Sequence, residues 1–169
     1  MRRLTQGQYR QQAGASLIEV LVALLILSIG LLGMVGLQTT SLRNTQNAYL
    51  RTQAMVFAED MVERMRANPQ GVDSGGYMAA SGTLTAACLT TSGCSGNAMA
   101  LHDVADWQAD LAIALPSGSG RICTDSTPDD GTVASPACDG SGDLLAVKVW
   151  WDGDRDGTAG QRLVATFQP

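Results

Sequence analysis

Apolar and polar positions fall into three regimes along the chain. Between Leu17 and Leu37, 16 of 21 residues are apolar and Glu19 is the only charge. From Val20 to Leu42 there are 23 residues without a charge, about what a helix needs to cross a bilayer. Beyond Gln38 the pattern turns amphipathic. Leu50, Ala54, Phe57, Ala58, Met61 and Met65 recur at helical spacing and form one face, a stripe typical of a packed core rather than a ligand box. Arg51, Glu59, Asp60, Glu63, Arg64 and Arg66 lie mostly off that face, and Asp60 and Arg64 are spaced as a favourable i,i+4 pair. No proline occurs from Gln38 until Pro69, where Asn68-Pro69 with Gly71 beyond is a stop signal. The pattern predicts one helix from about Ser16 to Ala67, roughly 78 Å long at 1.5 Å per residue. Gly30, Gly33 and Gly36 recur every third residue within it, which permits close helix–helix approach and weakens the helix locally.

The third regime, residues 68–169, reads as a small glycine-rich head. Gly71 to Gly96 reads as loop with weak strand content. Asp103–Leu115 predicts a short helix with Val104, Trp107, Leu111 and Leu115 on one face, Asp103 as its cap and Pro116 as its stop. A strand begins near Arg121–Thr124, and Leu144–Trp151 and Arg162–Phe167 predict two more, joined as a hairpin by an acidic turn. The expected fold class is α+β, with three or four antiparallel strands laid against the amphipathic half of the long helix. Trp150 and Trp151 should face opposite sides of their strand, one buried and one at a rim or subunit contact.

Composition narrows the chemistry. Charged residues make up 16% of the chain against 45% hydrophobic ones, and there is a single histidine, His102, and a single lysine, Lys148. No nucleophile–base pair, metal cluster or phosphate loop accompanies them, so the chain does not read as an enzyme. The net charge of −5 argues against a nucleic-acid partner, which calls for a basic footprint. Asp152, Asp154 and Asp156 begin a calcium-loop-like D-x-D-x-D-G pattern, but Leu163 stands where the closing Glu is needed and Arg155 sits inside. A solvated hairpin turn is the favoured reading, with calcium the alternative and no other cofactor expected.

The first 14 residues carry Arg2, Arg3 and Arg10 and no acid, which holds the N-terminus in the cytoplasm. The apolar run is longer than a signal-peptide core, and no Ala-x-Ala site follows it. The head is thereby exported to an oxidising compartment, where Cys88, Cys94, Cys123 and Cys138 can form disulfides. Four cysteines permit three pairings. Sequential pairing, Cys88–Cys94 and Cys123–Cys138, closes the shortest loops and is favoured on that ground.

Gly14-Ala15-Ser16-Leu17-Ile18-Glu19, placed between the basic leader and the apolar run, closely resembles the class III signal of type IV prepilins and type II secretion pseudopilins. The resemblance implies that a prepilin peptidase cuts after Gly14, that Ala15 becomes the methylated first residue, and that the apolar helix is retained. Ala15 departs from the phenylalanine common at that position. Glu19 takes the acidic fifth position of the mature chain, which in the family neutralises a neighbouring subunit's N-terminus and sets the assembly register. Without its leader the chain would carry −8, three units below the −5 of the full chain.

Ser28-Ile29-Gly30-Leu31-Leu32-Gly33, Leu37-Gln38, Glu63–Pro69 and Asp106–Leu111 are most similar to the PilV-type minor pilins. That likeness implies a leader at 1–14, a helix at 15–67 (about 17–37 transmembrane) and a periplasmic or extracellular head at 68–169. It further implies a low-abundance subunit that joins other minor pilins and the major pilin, primes assembly and sits at or near the tip, supporting twitching motility and adhesion. Its other implied partners are the peptidase/methyltransferase, the inner-membrane assembly machinery and, before assembly, membrane lipid. Two further readings share these residues: a minor pseudopilin of a type II secretion system, and a tip adhesin or binding module.

Overall fold

A computed structural model describes residues 16–169; the leader and the Gly14–Ala15 junction lie outside the described residues. Helix α1 spans Leu17–Ala67. Ser16 opens it, its carbonyl and hydroxyl accepting the Glu19 amide at 3.0 and 3.3 Å, which meets one of the free donors of the first turn. The chain divides into two compact units, one ending at Asn44 and the other running Thr45–Pro169.

In the first unit every described residue is exposed, and the helix there is long and apolar enough to cross a membrane. Its hydroxyls turn inward. Ser28, Thr39 and Thr40 donate to the carbonyls of Leu24, Val35 and Gly36 at 2.6, 2.9 and 3.2 Å, so these donors meet apolar surroundings already satisfied. A methyl group added at Gly30, Gly33 or Gly36 would meet nothing within 4 Å.

The second unit is built on the amphipathic half of α1, which buries Leu50, Ala54, Ala58, Met61, Val62 and Met65. Asn68 ends α1 and caps the short helix α2, Pro69–Asp73, accepting the Gly71 amide at 3.1 Å. Two 3-10 turns follow, Gly76–Met78 and Ala86–Leu89, then helix α3, Gly96–Ala114. Strands β1 (Ser119–Thr124), β2 (Leu145–Trp151) and β3 (Gln161–Phe167) form an antiparallel sheet in the order β1-β2-β3. Ile122 pairs with Val147, and Val147 with Ala165. Leu145, Val147, Val149 and Trp151 face the core with Ile122 and Phe167, against Met61 and Met65 of α1 and Trp107 and Leu111 of α3. Two of the glycines that make close approaches touch α3. A Cβ on Gly120 would lie 2.2 Å from the Trp107 ring, and one on Gly82 2.1 Å from the Leu101 carbonyl.

The α+β expectation describes this unit, with three strands. Other details differ. Helix α3 begins at Gly96, seven residues before the predicted Asp103, and its cap is Ser95, whose hydroxyl accepts the Ala98 amide at 3.3 Å. Asp103 lies mid-helix, engaged with Arg64 and Tyr77. The Gly71–Gly96 stretch holds two 3-10 turns and no strand. Trp150 and Trp151 do face opposite ways, yet both are buried, because both faces of β2 are covered.

Candidate functional site

Three groups of residues carry the chemistry. The first is the N-terminal turn of α1. Glu19 lies exposed in that turn, where an acid is favoured by the free amides of the helix start. Among the described residues it has no ion-pair partner, so its carboxylate is open to a group outside the chain. The neighbouring Gly14 and Ala15 lie outside the described residues.

The second group joins the end of α1 to α3. Arg64 reaches Asp60 at 2.9 Å, Asp103 at 3.3 Å and Asp106 at 3.1 Å. Burial works against its charge, but the bonds to Asp106 and Asp60 outweigh that and raise its pKa above the ordinary value. Tyr77 donates to Asp103 at 2.8 Å and lies 3.1 Å from the Arg64 carbonyl. Burial first, then the Asp103 carboxylate, push its hydroxyl well above the usual tyrosine range. Asn68 donates to the Gly96 carbonyl at 2.8 Å, and Trp107 Nε1 to the Phe57 carbonyl at 2.9 Å. The last turns of α1 are therefore locked to α3 by bonds spread from Gly96 to Trp107. The lone histidine is part of the scaffold too: His102 Nδ1 accepts the Thr85 amide at 2.9 Å.

The third group lies on the far face of the sheet. Ala146, Lys148 and Trp150 point away from the main core and are buried all the same. What covers this face is the segment between β1 and β2, which the Cys123–Cys138 bond closes into a loop (Cα–Cα 5.9 Å). Lys148 is fully buried. Its Nζ lies 2.5 Å from Asp125 Oδ2 and 3.0 Å from Asp130 Oδ1, and it donates to the carbonyls of Asp130 at 3.3 Å and Pro136 at 2.8 Å. The ammonium beside Asp125 holds that carboxyl below the usual range, against the opposing effect of burial. Arg162 on β3 adds bonds to the carbonyls of Asp129 and Gly131, both at 2.7 Å. Cys88 and Cys94 form the other disulfide, at a Cα–Cα distance of 4.8 Å, stapling the loop that leads into α3.

The acidic turn between β2 and β3 is built around Asp152. Its carboxylate is nearly buried and accepts the amides of Asp156 at 3.2 Å and Gly157 at 2.7 Å. The loop thus turns on one carboxylate filled by backbone donors. Among the described residues no group of three or more His, Cys, Asp or Glu side chains is placed to hold a metal ion. This turn joins the paired strands β2 and β3 as a hairpin.

Residues 9–35 match the model of the prokaryotic N-terminal methylation motif, and residues 36–105 match that of type IV pilin Tt1218. The two matches meet end to end and together run over more than half of the chain, from the leader through the apolar helix and into α3. The chain belongs to the type IV pilin family. No curated protein and no solved structure matches it significantly. As a pilin it is a membrane-anchored structural subunit, and its methylation motif implies processing by a prepilin peptidase and incorporation into a pilus with other pilins.

The groups in the pilin's head were not all visible in its residues. Asp125, Asp130 and Arg162 around Lys148, and Tyr77 and Asn68 beside Arg64, carry no local pattern. The one available signal was the lysine itself, a lone cation between Val147 and Val149 in an otherwise apolar strand.

Proposed function

We propose that this pilin is a minor pilin of the PilV type, which joins other minor pilins to prime pilus assembly and sits at or near the pilus tip. The observation that carries the assembly role is the α1 N-terminal half: a wholly exposed apolar helix bearing a single acid. So much apolar surface is stable only in lipid or against the helices of other subunits. Glu19, on this reading, pairs with the N-terminal amine of a neighbouring subunit after cleavage at Gly14 and methylation of Ala15. Burial in an apolar bundle costs an unpaired carboxylate about 2.5–3.5 kcal/mol, so a subunit out of register is penalised. The PilV-type assignment is supported by the Glu63–Pro69 and Asp106–Leu111 segments, whose side chains meet in the Arg64–Asp106 ion pair. On this reading the head lies in the periplasm before assembly and at the cell surface afterwards.

A deletion strain tests this. Loss of surface pili, with other minor pilins missing from the sheared fraction, supports a priming subunit. Normal piliation with lost adherence transfers the reading to a tip adhesin. A Glu19→Ala variant should remain in the membrane yet fall at least several-fold in the sheared fraction; undiminished incorporation would remove the register role.

A further inference from the structure

β3 has β2 on one side and open space on the other. The opposite edge of the sheet is occupied: Gln108 Nε2 donates to the Gly120 carbonyl of β1 at 3.3 Å, and the Gly76–Met78 turn packs alongside that strand. The free flank of β3 instead borders a groove of about 960 Å³, walled by the α1 residues Arg51, Met55 and Glu59 on one side and by Pro128 and Asp129 on the other. Five successive β3 residues, 162–166, line it. An edge strand presents a row of unpaired N–H and C=O groups, a template for a further strand. Natural sheets usually blunt such an edge; here it borders a groove wide enough to admit an extended segment.

The charges around the groove say what kind of segment. Arg162 and Asp129 are paired with each other at 3.0 Å. Arg51 and Glu59 are exposed and, among the described residues, have no ion-pair partner. They stand on α1 eight residues apart, about 12 Å along the helix, which equals roughly four residues of a strand. Met55, 55% exposed, lies between them. A complementary strand carries an acid opposite Arg51, a base opposite Glu59 about four residues away, and apolar side chains between. The strands of a second copy do not supply it: β1 and β3 carry Arg121 and Arg162 and no acid, Asp125, four residues beyond Arg121, is buried against Lys148, and β2 is central in its sheet.

We propose that the groove between α1 and β3 receives an extended segment of a different polypeptide, which adds to the edge of β3 as a further strand and is selected by Arg51 and Glu59. The proposal rests on the reading of the chain as a subunit that works among other subunits. Because the head offers one open edge, such pairing adds one neighbour and does not propagate.

The test places a photo-crosslinking amino acid at exposed Thr166, which lines the groove, and separately at Leu25 in the apolar helix, in the full chain expressed in its own cells. The expected Thr166 adduct maps by mass spectrometry to a segment of a different chain with an acid and a base about four residues apart. The Arg51→Glu/Glu59→Arg variant should lower its yield at least tenfold. Tryptophan fluorescence confirms that the head of this variant unfolds at the wild-type midpoint; if it does not, Arg51→Gln alone is used, with at least a threefold drop expected. An adduct to a second copy, to a segment without that charge pattern, or with a yield unmoved by either variant overturns the proposal. Adducts at Leu25 with none at Thr166 overturn the groove while leaving the subunit reading intact; adducts at neither site overturn both.

Discussion

Replacing Lys148 by methionine should unfasten the loop that covers the far face of the sheet. The lysine is fully buried and its ammonium is 2.5 Å from Asp125, itself fully buried. Lys148→Met keeps most of the apolar stem but leaves Asp125 as an uncompensated buried charge, a change that costs about 3–5 kcal/mol. The carbonyls of Asp130 and Pro136 lose their donor as well. Against a domain stability of roughly 5–15 kcal/mol, the single variant forfeits a large share. Adding Asp125→Asn removes the stranded charge. The double variant should recover about 2 kcal/mol or more relative to Lys148→Met, remaining about 1–3 kcal/mol below wild type for the unmet carbonyls. The assay is urea unfolding of the full chain in detergent, followed by tryptophan fluorescence. Trp107, Trp150 and Trp151 are the only tryptophans and all lie in the head, so the apolar helix is silent. At a urea slope of about 1–3 kcal/mol per molar, the single variant should shift the midpoint down by on the order of 2 M. A loss under about 1 kcal/mol, or a double variant no more stable than the single one, would refute the clasp.

Three further outcomes follow from the same contacts. Because Lys148 depresses the Asp125 pKa, the stability it confers is full above the ordinary carboxylate value of about 3.9 and is lost as pH falls below it; unfolding midpoints across pH 2–7 check this. Tyr77 has the opposite sign: its raised pKa contributes stability below about pH 10 that is lost as pH rises further, and Tyr77→Phe should flatten that alkaline limb. Gly120→Ala drives a methyl into the Trp107 ring and should cost about 1–3 kcal/mol in the same fluorescence assay, whereas Gly33→Ala, which meets nothing, should leave the head unchanged.

What was legible in the residues followed from periodicity. The long helix could be read because its first half is uniformly apolar, its second half keeps one face, and Asn68-Pro69 ends it. The strands β2 and β3 and their hairpin showed through alternation. The start of α3 was hidden, since Gly96-Asn97 reads as loop and Asp103, four residues before Trp107, imitates a cap that Ser95 in fact provides. Lys148 was hidden for a different reason. Alternation places it on the face of β2 opposite the core, and on a two-layer head that face would be wet. It is dry because a disulfide-closed loop with little secondary structure folds over it, and no local pattern reports where such a loop will lie. The same cover buries Trp150. The D-x-D-x-D-G pattern left two readings side by side: its first aspartate accepts backbone amides, and a motif for an ion and a motif for a turn begin alike.

The central claim, a retained apolar helix in a processed and assembled pilin, is tested most directly by the N-terminal peptide of the chain recovered from sheared pili. Mass spectrometry should find it beginning at Ala15, with a mass gain of one methyl group on the amine and the whole apolar segment still attached. A chain confined to the membrane fraction and still beginning at Met1, or one cut beyond Leu37, would contradict the account.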